Sequence, residues 1–199
     1  MNQVRIAVFA SGAGTNFQRL VESERAGELG YGHIVLLVSD KPSSGAVTVA
    51  KAAGIDIFAH TYKELLGKDD WEQAVLLELK QYDIQLVVLA GYMRIVGTNL
   101  IEAFSKRMIN LHPSFLPDFK GLDAIGQALE ANVDQTGVTV HYVDADLDAG
   151  PIIEQERVPI HSGDTHEELT LRIRRAEHEL LPRVVKQWCE REIESWQER

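Results

Sequence analysis

The chain has 199 residues, is 45% apolar, carries a formal net charge of -10 and holds a single cysteine. That length supports one substantial core but not two full domains, and the net negative charge disfavours a polyanion such as tRNA or DNA as a partner. Cys189 alone cannot close an intramolecular disulfide, which fits a reducing compartment.

The N-terminal run VRIAVFA (4 to 10) is too short to cross a membrane and lacks a signal-peptide pattern, so a cytoplasmic protein without membrane partners is expected. The run itself reads as a strand. It leads into SGAGTN (11 to 16), a turn that can aim backbone N–H groups and the positive end of a helix dipole at an anion. A dinucleotide fingerprint would need a third glycine where Phe17 stands, and no Gly-Lys-Ser/Thr follows, so a single phosphomonoester is the expected anion. The alternative is a merely tight strand-to-helix turn. A helix should then run from Asn16 to Glu28, with Phe17, Leu20 and Val21 at helical spacing.

Further strands are expected at HIVLLVS (33 to 39), IDIFAH (55 to 60), IQLVVLA (84 to 90) and RMINLH (107 to 112). Their unbroken hydrophobicity points to a mostly parallel sheet covered by helices on both faces. A helix from Asp69 to Gln81 carries Trp71, Val75, Leu76 and Leu79 on one side, and Asp69 with Glu72 has the offset of a capping box. After the fourth strand, LAGYMRIVG (89 to 97) has the apolar, backbone-rich character of a cofactor pocket, or else of ordinary core plus a helix start. In INLHPSFLP (109 to 117), strand alternation sends Asn110 and His112 to one face and Ile109 and Leu111 to the other, and Pro113 stops the strand. An amide donor beside an imidazole suits oxyanion stabilisation and proton transfer.

The last third changes character. GVTVHYV (137 to 143) alternates, and the loop DADLDAGP (144 to 151) and IIEQERVPI (152 to 160) follow, so an antiparallel extension is expected. The loop is either a solvated turn or the source of a carboxylate for the imidazole, and composition does not choose among Asp144, Asp146 and Asp148. Thr165 and Glu168 form a second capping box before a long C-terminal helix with Leu169, Ile173, Ala176, Leu180, Val184 and Trp188 on its apolar side; Pro182 should kink or interrupt it. There is no internal repeat and no linker.

SGAGTN, LAGYMR, NLHPSFLP, GVTVH and LDAGPII together resemble the folate-dependent phosphoribosylglycinamide formyltransferase (glycinamide ribonucleotide formyltransferase) family, over Val4 to about Trp188. The resemblance implies a single domain, 1–199, of Rossmann-like fold, with a phosphate-binding half near 1–105 and a catalytic, folate-proximal half near 106–199. It implies formyl transfer from 10-formyltetrahydrofolate to the amine of glycinamide ribonucleotide, a step of purine (IMP) synthesis, and leaves a homodimer open. Asn110, His112 and Asp148 are then the catalytic group. Gly14, Thr15, Asn16 and Glu177 hold the substrate, and Met93, Arg94, Ile95, Val96 and Asn110, with Lys68, hold the folate. Some relatives carry histidines in the loop that here reads GLDAIGQA (121 to 128), where Asp123 stands and receives no role.

Two related activities share the catalytic motif. A formyltetrahydrofolate hydrolase uses water in place of the amine and usually carries an extra N-terminal regulatory domain, whereas this catalytic domain is expected to start at residue 4. A methionyl-tRNA formyltransferase adds a C-terminal RNA-binding domain and a basic face. A non-catalytic phospho-ligand sensor would not need Asn110, His112 and Asp148 together. No Cys pair or H-E-x-x-H occurs, and the seven histidines are scattered, so no metal is expected. Activity should therefore survive EDTA and dialysis; a loss that zinc or magnesium restores would make His112 and Asp148 ligands instead.

Overall fold

In the computed structural model, which describes residues 3–197, the apolar runs become strands of one seven-stranded sheet in the order β3-β2-β1-β4-β5-β6-β7. β1 (Val4–Phe9), β2 (Gly32–Ser39), β3 (Asp56–Ala59), β4 (Leu86–Leu89) and β5 (Met108–His112) are parallel. β6 (Gln135–Tyr142) and β7 (Ile152–Pro159) extend the sheet antiparallel. The mostly parallel sheet with an antiparallel extension is thus the one expected.

Alternation along the strands builds two cores. Ile6, Val8, Leu37, Val88, Ile109 and Leu111 face α1 (Thr15–Arg25), α2 (Gly45–Ala53) and α6 (His166–Gln197). Ala7, Phe9, Leu36, Val38, Val87 and Met108 face α3 (Lys68–Gln81) and α4 (Thr98–Ala103), where Trp71, Val75, Leu79 and Leu100 are buried. A sheet apolar on both faces needs helices on both, which explains the unbroken hydrophobic runs.

Several local expectations change. α1 ends at Arg25 rather than Glu28, because Gly27 turns the chain out at φ 74°. α2 and α5 (Ala124–Glu130) were not anticipated, and α4 begins at Thr98, directly after the segment 89–97 for which a helix start was one of two readings. Asp69 and Glu72 make no capping box: Gly67 is the N-cap of α3 and no side chain caps it. Glu72 is buried instead, where it accepts a 2.8 Å bond from the Gly97 N–H and lies 3.7 Å from the Lys68 ammonium.

Pro182 does not interrupt α6. Its missing N–H leaves the carbonyl of His178, four residues earlier, without its helical partner, and the Arg19 Nε of α1 donates to that carbonyl at 3.2 Å. The second capping box is real. The Thr165 Oγ1 accepts from the Glu168 N–H at 3.2 Å, and Glu168 accepts from the Thr165 N–H at 2.9 Å.

Thr165→Ala should lower stability by about 1 kcal/mol, and Glu72→Ala by roughly 1–3 kcal/mol because it leaves the partly buried Gly97 N–H unpaired. Asp69→Ala should leave the urea midpoint almost unchanged. A loss for Asp69→Ala as large as for Thr165→Ala would reinstate the first capping box.

Candidate active site

Strand order reverses beside β1: the chain steps outward to β2 and β3, then crosses back to β4 on the other side. Open parallel sheets leave a crevice at the carboxyl ends of the two strands flanking such a point. SGAGTN leaves β1 and the segment after Ala90 leaves β4, so both sequence-selected loops border this crevice. Asn110 and His112 end the next strand.

Asn110, His112 and Asp148 come together. Asp148 Oδ2 lies 3.5 Å from His112 Nδ1, and Asp148 Oδ1 accepts from Asn110 Nδ2 at 3.4 Å. The carboxylate side chain is only 7% exposed and also accepts from the Gly121 N–H at 2.9 Å. Asp148 has φ 49°, a left-handed conformation that Asp tolerates better than most residues. A Cβ at Gly150 would overlap the Tyr142 carbonyl, so only glycine lets the loop return this closely to β6.

His141 joins this group, and it was not singled out from the sequence. It sits opposite Asn110 in the register of β5 and β6, with Nε2 3.2 Å from Asn110 Nδ2 and 3.6 Å from Asp148 Oδ1. The histidine ending GVTVH was the available signal. Its strand phase puts it on the face of Asn110 only once the β5–β6 register is known.

The His112 Nε2 approaches the Phe119 carbonyl at 2.9 Å. A carbonyl only accepts, so Nε2 carries a proton and the neutral ring presents its lone pair at Nδ1, toward Asp148. Burial pushes the His112 pKa below its ordinary value, while the Phe119 carbonyl and the Asp148 charge pull it partly back. The resting imidazole is therefore neutral near pH 7. Burial pushes Asp148 upward, but His141, the Gly121 N–H and the neighbouring imidazole charge more than reverse this and hold it below the usual carboxylate range.

At the glycine loop, Gly14 adopts φ 78° and precedes α1 as an N-cap that offers no side chain. A Cβ there would stand 2.6 Å from Ala46 Cα, whereas one at Gly12 would meet open space. Thr15 opens the helix. Asn16 Nδ2 donates to Glu177 Oε2 at 3.0 Å, and the buried Asn16 Oδ1 has no protein partner among the described residues. Burial raises the Glu177 pKa, against the opposing effects of Asn16 and Arg174.

The segment after β4 exposes Met93 and Ile95 and buries Val96. Met93 donates its N–H to Ser11 Oγ at 3.0 Å, and Arg94 Nε donates to Asp40 at 2.6 Å. Lys68 reaches this segment through Glu72, which binds the N–H of Gly97. Asp123, given no role from sequence, is the N-cap of α5: it accepts from the Gly126 N–H at 3.1 Å and meets His166 Nε2 at 3.1 Å. Among the described residues no group of His, Cys, Asp and Glu is arranged to hold a metal ion, and no helix is long and apolar enough to cross a membrane.

The sequence matches the formyl transferase family over residues 4–185. It is 43% identical over 183 residues to the phosphoribosylglycinamide formyltransferase of Bacillus subtilis, covering 92% of this chain and 93% of that protein. Among solved structures, glycinamide ribonucleotide transformylase 1 from Geobacillus kaustophilus superposes with a TM-score of 0.91 at 44% identity, covering 94% of this chain and 99% of that one. A formyltetrahydrofolate deformylase from Pseudomonas syringae superposes with a TM-score of 0.88 at 28% identity, covering 94% of this chain but 62% of the other.

The pKa directions fix how pH acts. With its folded pKa below the unfolded value, His112 withdraws stability as pH falls below about 6.5, where the unfolded chain binds the proton more readily. Asp148 contributes stability above its unfolded value of about 3.9, and that contribution is lost as pH falls through the lower folded value. In a ring-proton NMR titration, His112 should titrate below an ordinary histidine in the wild type and lower still in Asp148→Asn. A higher value in the variant would show that the carboxylate does not act on the ring.

Proposed function

The chain belongs to the formyl transferase family, and from that premise we infer that it transfers the formyl group of 10-formyltetrahydrofolate to the amine of 5'-phosphoribosylglycinamide, in purine biosynthesis. The products are N-formylglycinamide ribonucleotide and tetrahydrofolate. The observation that carries this reading is the buried junction of Asn110, His112 and Asp148 at the carboxyl end of β5, in a chain that spans almost the full length of relatives named for this reaction. Cytoplasmic residence belongs to the same proposal.

The proposed division of labour carries the family resemblance onto the loops that border the crevice. Gly14, Thr15 and Asn16 receive the phosphate at the start of α1, and Glu177 with Asn16 holds the adjoining part of the ribonucleotide. Met93, Arg94, Ile95 and Val96, with Lys68 at the rim, hold the folate. The bond from Asn16 to Glu177 ties the N-terminal half to the C-terminal helix.

When the amine attacks the formyl carbon, Asn110 donates to the developing oxyanion, a contribution worth about 100- to 1,000-fold in kcat. His112, neutral at rest, takes the amine proton at Nδ1. Asp148 stabilises the imidazolium so formed. The proton then passes to the departing folate nitrogen, and no covalent enzyme intermediate is required.

Folate product formed with and without glycinamide ribonucleotide tests the acceptor directly: equal rates would replace the transferase by a hydrolase. Asp148→Asn and His112→Ala should each lower kcat by roughly 100- to 10,000-fold, and the double variant should be little worse than either single one. Asp144→Asn and Asp146→Asn serve as controls, because Asp144 Oδ1 accepts from the Asp146 N–H and neither bonds the trio. Controls as damaged as Asp148→Asn, or multiplicative losses in the double variant, would dissolve the proposed pair.

A further inference from the structure

Asp40 follows the last residue of β2 and stood outside every motif read from the sequence. Its carboxylate is 5% exposed, and it is occupied on both oxygens. Oδ1 accepts from Ser11 Oγ at 2.6 Å, and Oδ2 accepts from Arg94 Nε at 2.6 Å. Ser11 begins the glycine loop after β1; Arg94 lies in the segment after β4. The Ser11 hydroxyl also accepts from the Met93 N–H at 3.0 Å, and the Ser11 N–H donates to the Gly91 carbonyl at 3.1 Å. Three connections, from β1, β2 and β4, are therefore tied through one carboxylate and one hydroxyl.

The far side of this junction is braced by aromatic rings. The Arg94 guanidinium stands over the Tyr62 ring, 5.2 Å from its centroid. The Tyr62 hydroxyl lies 3.3 Å from that of Tyr92, and Tyr92 stacks on the buried Trp71. Only Nε of Arg94 is engaged by a protein hydrogen bond among the described residues, and its side chain is 54% exposed. The guanidinium is thus held by Asp40 and the Tyr62 ring while its terminal nitrogens make no hydrogen bond to the protein among the described residues.

We propose that Asp40 is a positioning residue for the formyl donor: by holding Arg94 and, through Ser11, the Met93 amide, it couples the order of the folate segment to that of the phosphate loop. The proposal rests on the formyl-transfer reading for the identity of the two ligands. The chemistry requires a carboxylate. Ser11 and Arg94 both donate to this group, and the amide introduced by Asp40→Asn would present one acceptor and one donor, so one of the two would lose its partner and the ion pair would lose its charge.

Asp40→Asn, Ser11→Ala and Arg94→Ala are to be compared by steady-state kinetics and by titration with tetrahydrofolate, with and without glycinamide ribonucleotide. Asp40→Asn should raise the KM for 10-formyltetrahydrofolate by about 10- to 100-fold, the scale of a lost charge-assisted hydrogen bond, while kcat changes less than about 3-fold. In the wild type, glycinamide ribonucleotide should tighten tetrahydrofolate binding by about 5-fold or more, and Ser11→Ala and Asp40→Asn should bring that ratio to one. Asp40→Asn and Arg94→Ala should be non-additive in KM, as partners of one interaction are.

An unchanged KM for the formyl donor in Asp40→Asn, a wild-type coupling ratio in Ser11→Ala, or additive losses for Asp40 and Arg94 would each overturn the proposal. If Asp40→Asn does not fold, the coupling ratio in Ser11→Ala decides alone. Tetrahydrofolate binding needs no turnover, so a wild type that released formate without the ribonucleotide would sink the acceptor assignment while the folate affinities still judged the clamp.

Discussion

The Asp148 carboxylate is almost wholly removed from water, and a buried charge persists only where partners surround it. Here the partners come from everywhere the site needs parts. Asn110 comes from β5, His141 from β6, and the Gly121 N–H from the loop before α5. His112 faces the same carboxylate and, at its opposite nitrogen, takes hold of Phe119 in that same loop. Satisfying one carboxylate therefore fixes the register of the antiparallel extension, the path of the 118–123 loop and the tautomer of the His112 imidazole together.

The rest of the architecture delivers those parts. Parallel strands put every strand-to-helix turn at one end of the sheet, and the reversal of order beside β1 opens a crevice there. The glycine loop packs against the start of α2 so closely that Gly14 and Gly45 have no room for a Cβ. α6 reaches back across the sheet to place Glu177 beside Asn16. Arg19 secures that helix by occupying the carbonyl that Pro182 leaves unpaired, so the proline costs the helix no unsatisfied acceptor and the placement of Glu177 is kept.

Burial and charge act in opposition on His112. Its location in the core favours a neutral ring, and the neighbouring carboxylate limits how far the basicity falls. The carboxylate beside a neutral ring becomes most favourable once that ring has taken up a proton. Desolvation, the larger of the two effects on the ring, depends on burial, which sequence does not report.

Much of this was legible without coordinates. Apolar runs covered on both faces marked the parallel strands, because a doubly covered strand has no polar face to alternate with. Asn110 and His112 were placed on one face by period alone, and the five motifs identified the family. The short helices were less visible. α2 has an N-cap at Ser44 and a left-handed glycine at Gly54, but its β-branched interior obscured a helical period. Tertiary structure alone decided what depends on distant partners: Glu72 left its apparent capping box for the Gly97 N–H, His141 entered the site through the register of β6 on β5, and Asp40 acquired both donors from loops far away in sequence. Periodicity and motif spacing are local and survive in a linear string; burial, register and the partner of a charged group exist only after the chain has closed on itself.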